Sequence, residues 1–212
     1  TATAAATAIT ISRVAVAATG TTNPAIDFSG TVAGTVAITG GSVAQPDANR
    51  NAILFQAAVT GMVSISDIAA TSGGSPIQFN DLQAPLTLNN VAATASLNGN
   101  GLAFIAITAA ATTISIVGGS FTGVQRGMYF GAVPSPTAIT ISGASLTATG
   151  TTFPGLHFAS TVAGPVTLKG GSVSQPDAAQ RGIYFQGIVS AAVAIEYVAV
   201  TSGSSAIQFN DL

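Results

Sequence analysis

The chain is 212 residues long, 48% hydrophobic, with 5 Lys+Arg against 7 Asp+Glu, a formal net charge of −2, no Cys and no Trp. That balance offers no basic field for nucleic acid or an anionic membrane surface, and no disulfide scaffold or thiolate metal site. It is also too rich in aliphatic and β-branched residues for a disordered chain.

The first unit opens with "TAITIS", in which Ile9 and Ile11 share one side of a period-two strand and Thr10 takes the other. Five residues after Ile11 stands Val16. Past the turn residues "TGTTNP" comes Ile26-Asp27-Phe28. These three motifs then return along the whole chain. The aliphatic pair recurs at Val36/Ile38, Val63/Ile65, Leu86/Leu88, Ile114/Ile116, Ile139/Ile141, Val166/Leu168 and Val193/Ile195. Each pair is followed five positions later by another apolar residue: Val43, Ala70, Ala93, Phe121, Leu146, Val173 and Val200. Each unit closes on aliphatic-x-Phe, at Phe28, Phe55, Phe79, Phe104, Phe130, Phe158, Phe185 and Phe209, with spacings of 27, 24, 25, 26, 28, 27 and 24 residues. The most apolar run, Leu102 to Val117, is 16 residues long. A spanning helix needs about 20, and the Thr, Ser and β-branched residues in this run favour strands. Buried strands and no membrane span are therefore expected there.

A longer repeat contains the short one. Residues 7–82 align without a gap on 137–212, at an offset of 130, with 43 of 76 positions identical. "GGSVAQPDA" matches "GGSVSQPDA", and "IQFNDL" closes both copies. Self-similarity on this scale marks a stacked repeat architecture. The expectation is an all-β chain, 1–212, forming one right-handed parallel β-helix of about eight coils of 23–28 residues. It is built on the 130-residue super-repeat, with 83–136 as intervening coils. Stacking strands at about 4.8 Å would align the Phe side chains as a ladder inside the core.

The coils "TAITISGASL" and "GTVAITGGSV" resemble right-handed β-helix repeats of secreted surface proteins, including autotransporter passengers and repeat adhesins. That resemblance covers the whole chain. It implies an extracellular or cell-surface location and a structural or adhesive role. The same superfold also carries pectate-lyase-like enzymes, so fold alone assigns no activity.

An enzyme on this fold would need carboxylates clustered on one outer face. Asp27, Asp47, Asp67, Asp81, Asp177, Glu196 and Asp211 do not share an outward column in neighbouring coils. Asp47 and Asp177 in "QPD", and Asp81 and Asp211 in "NDL", read as turn residues. His157 is the only histidine, so a His-based metal site lacks partners. No enzyme, cofactor or metal is expected.

One binding face suggests itself. The residue after each closing aliphatic should point outward, which places Tyr129, His157 and Tyr184 in one column. Arg126 and Arg181 lie three residues before the two tyrosines. Exposed aromatic rings flanked by guanidinium groups suit glycans. The alternative to a purely structural role is therefore a glycan-binding module on this face, with a polysaccharide-active enzyme third. Neither end resembles a polar cap, and uncapped coil edges recruit further strands. The expected partner is another coil, by covalent continuation or end-to-end self-association into a filament.

Overall fold

The computed structural model describes residues 7–20, 22–108 and 112–212. These form 22 strands and no helix, and every strand pair is parallel. Parallel pairing follows from the repeat. Each strand lies against its equivalent one coil earlier and one coil later, so the motifs of the sequence become three ladders.

The first ladder holds the aliphatic pairs, in Val63–Ser66, Leu86–Asn89, Thr113–Val117, Ala138–Ser142, Val166–Lys169 and Val193–Glu196. The second runs through Ala69–Ser72, Ala92–Ala95, Ser120–Gly123, Ser145–Ala148, Ser172–Gln175 and Ala199–Ser202. The long strands Ile9–Ala17 and Val36–Gln45 turn the corner between the two and serve both, joining them into one 14-stranded sheet. The third ladder is an eight-stranded sheet from Ile26–Phe28 to Ile207–Asp211. Eight strands per ladder make about seven complete turns. The apolar run 102–117 supplies Leu102–Phe104 to the third ladder and Thr113–Val117 to the first, while 109–111 lie outside the described residues. Among the described residues no helix is long and apolar enough to cross a membrane.

All eight closing phenylalanines stack in one internal column, with centroids 4.4–5.4 Å apart and planes within 10° of parallel. Register forces this arrangement, because each Phe pairs with the next in the strand ladder. Stacked pairs of this kind add about 0.5–1.5 kcal/mol each beyond area burial. Phe55 to Phe185 are fully buried, whereas Phe28 and Phe209, on the outermost coils, are only partly covered.

The corner between the first two ladders has one solution in every coil. Arg13, Gly40, Asp67, Asn90, Gly118, Gly143, Gly170 and Tyr197 occupy the same place and all adopt φ of 53° to 67°. A left-handed residue turns the chain there. Gly118 and Gly143 do so without cost, Asp67 and Asn90 at little cost, and Arg13 and Tyr197 against their preference. A fourth inward column follows the Phe ladder, formed by Val32, Val59, Leu82, Ile107, Val133, Val162 and Val189, all buried.

Candidate functional site

The outer side of the third ladder carries the side chains singled out by the sequence. Tyr129 pairs with His157 and His157 with Tyr184, so the three occupy one column on successive coils. The expectation that this whole column faces solvent fails at two coils. Ala103 is fully buried and His157 is 5% exposed, while Tyr129 and Tyr184 are half-buried. Ala103 is the smallest member and lies in register between Gln78 and Tyr129. His157 is covered because Arg126 folds over it.

Arg126 is itself 9% exposed. Its Nε donates to His157 Nδ1 at 2.9 Å, and its Nη1 donates to Asn100 Oδ1 at 3.2 Å and Gln125 Oε1 at 3.4 Å. The guanidinium carbon lies 4.8 Å from the Tyr129 ring centroid and 3.8 Å from that of Phe153. An arginine can only donate, so His157 Nδ1 must accept. The histidine is then the neutral Nε2–H tautomer, and Nε2 donates to Gln186 Oε1 at 2.9 Å. The imidazole stacks on Tyr184, with centroids 5.4 Å apart, and meets Tyr129 edge-on at 5.8 Å. Arg181 lies 4.5 Å above the Tyr184 ring and donates through Nε to Gln208 Oε1. The Tyr184 hydroxyl accepts from Asn210 Nδ2 at 2.7 Å.

The electrostatics follow from that packing. Burial, then the neighbouring Arg126 and Arg181 charges, push His157 down to about 4, against a smaller upward pull from Gln186. Burial also brings Arg126 down to about 10, with Tyr129 acting in the opposite direction. The partners of Arg126 are all neutral; no carboxylate is among them.

The five predicted residues, Arg126, Tyr129, His157, Arg181 and Tyr184, therefore converge, but as an interlocked cluster rather than as bare rings. The guanidinium groups already lie over the ring faces a sugar would use. Phe153, Asn100, Gln125 and Gln186 complete the cluster and were missed from sequence. Only the repeat offers a signal for one of them. Gln56 donates to Asp27 at 2.7 and 2.8 Å, and the corresponding pair one super-repeat later is Gln186 with His157. Likewise Asn51 donates to Gln78 at 3.2 Å where Arg181 later donates to Gln208. Both copies thus share one hydrogen-bond frame, negative at Asp27 in the first and cationic in the second.

Asp47, Asp67, Asp81 and Asp177 each accept hydrogen bonds within the protein. Asp47 Oδ1 accepts from Asn49 N and Asp177 Oδ1 from Ala179 N, as expected for the Pro-led turns. Asp81 and Asp211 are not turn residues: they lie in strands Ile77–Leu82 and Ile207–Asp211. Asp81 accepts from Thr108 Oγ1 at 2.5 Å and Gln83 Nε2 at 2.6 Å, which ties two coils together. No family model matches this chain, and comparisons with curated proteins and with solved structures return no significant match.

Proposed function

We propose that the chain is an architectural β-solenoid, a rod segment of an extracellular or cell-surface adhesive array that extends coil upon coil. The observation behind this is a like-for-like comparison of two coils. The coil containing Val193, Ile195, Val200, Ile207 and Phe209 is the repeat counterpart of the one containing Val63, Ile65, Ala70, Ile77 and Phe79. In the interior coil all five inward positions are fully buried beneath the next coil, Leu86 to Phe104. Val193, Ile195, Val200 and Phe209 pack against that core and Ile207 pairs in register with Ile183, so the same apolar pattern serves both to cover one coil and to be covered by another. Few charges stand against such stacking. A heterologous contact of this kind need not close, so it builds filaments.

Sedimentation velocity and electron microscopy on the 212-residue chain test the reading. Concentration-dependent rods, lengthening by end-to-end contact, are expected. A monodisperse 20.6 kDa particle with ordered outer coils at high concentration would overturn it.

A further inference from the structure

The cationic cluster on the third ladder has a use that coil stacking does not require. We propose that Arg126 and Arg181 form two neighbouring carboxylate-binding positions on the outer face of this ladder, one at each guanidinium, and that their occupant is a sugar acid.

Arg126 is nine-tenths buried, and its Nε and Nη1 are spent on neutral acceptors, so Nη2 is the edge those partners leave unoccupied. Arg181 is half-buried, and its Nε alone takes Gln208. The strands that follow the two arginines, Met128–Phe130 and Ile183–Ile188, lie two coil steps apart, roughly 10 Å along the axis. His157 lies between them and feels both charges. A buried cation without an acid partner is costly, and a carboxylate laid on guanidinium N–H groups is the strong complement to it. Tyr129 and Tyr184 lie beneath the two guanidiniums and hold them in place, and beside Arg126 stands the Gln125 amide, which donates to Asn98 at 2.8 Å. Such amides suit the hydroxyls of a sugar whose carboxylate is held by the arginine. The first super-repeat copy has Asp27 and Asn51 at the positions of His157 and Arg181 and would repel the same ligand.

The single histidine supplies the readout. An anion held beside Arg126 and Arg181 offsets the charges that hold His157 in its neutral form, so occupancy must raise the histidine's titration midpoint. The experiment is an NMR pH titration of His157 with glucuronate, methoxyacetate or glucose added to the whole chain; methoxyacetate, unlike acetate, stays mostly ionised where this histidine titrates. Glucuronate is expected to raise the midpoint by about half a unit or more, methoxyacetate by less, and glucose not at all. Arg181→Gln, which leaves the buried Arg126 network intact, should reduce the glucuronate shift at least about threefold without lowering the melting temperature. Equal shifts from methoxyacetate and glucuronate would overturn the sugar-acid occupant while keeping the carboxylate site. No shift from either acid, or a full shift in Arg181→Gln, would overturn the site itself.

Discussion

A protonated imidazole cannot accept the hydrogen bond that Arg126 Nε donates to His157 Nδ1. Acid therefore sets two cations against each other beneath the surface. In the unfolded chain His157 takes up its proton near 6.5, and in the folded chain only near 4. Above 6.5 both states are neutral at this residue and stability is complete. As pH falls from 6.5 to 4 the unfolded state binds the extra proton, and about 3 kcal/mol is lost by linkage, levelling off below 4. Urea denaturation between pH 7.5 and 3.5 should show this slope in the parent chain and lack it in His157→Gln; parallel curves would mean that the histidine is not so held. The column of Tyr129, His157 and Tyr184 is legible from spacing alone, because register follows from the period of the strands. That Arg126 bends over His157 is not, because a long side chain has many rotamers, and Asn100 and Phe153, which fix its direction, lie on different coils.

At the scale of the element, the phrase "QPD" conceals a clamp. Alternation along Val36–Gln45 turns Gln45 inward, and Gln175 occupies the same place later; both are 0–1% exposed. Each amide reaches back one coil and donates to two loop carbonyls, Gly20 and Asn23 for Gln45, Gly150 and Phe153 for Gln175. Each Oε1 accepts from the backbone N–H of Asp47 or Asp177 at 3.0 Å. Gln175→Ala should cost roughly 2–4 kcal/mol by leaving buried polar groups unpaired. Gln175→Glu should cost more at neutral pH, since a carboxylate cannot donate and is charged. Chemical denaturation in which neither variant departs from the parent would show that the clamp is idle. Sequence attention falls on the Asp of this motif because turn chemistry attaches to Asp, whereas a buried Gln contradicts the expectation that polar residues stay outside. The fourth inward column was hidden for a different reason. Its members follow the ladder phenylalanines by three residues at Leu82, Ile107 and Val133 but by four at Val32, Val59, Val162 and Val189, and a shifting interval escapes a search for period.

Taken whole, the molecule is nearly one-dimensional. The three sequence motifs map one to one onto the three ladders, two of them joined in the 14-stranded sheet, because parallel pairing leaves each coil with only two neighbours and each neighbour in the same register. Stability in such a stack is a sum of coil terms and nearest-neighbour terms. The hydrogen bonds of all three ladders run along the rod axis, and this governs how the rod answers to force. Tension applied between the two ends of the chain bears on the outermost coils first, since inner coils are reached only after those have gone. The rod should unwind as thread leaves a spool. Each released coil of about 26 residues would supply roughly 9 nm of extended chain before the next one yields. Single-molecule extension should record a train of such steps, and one abrupt rip of the entire rod would contradict it. A tether of this construction meets a sudden pull by lengthening in small increments while the coils not yet reached keep their shape.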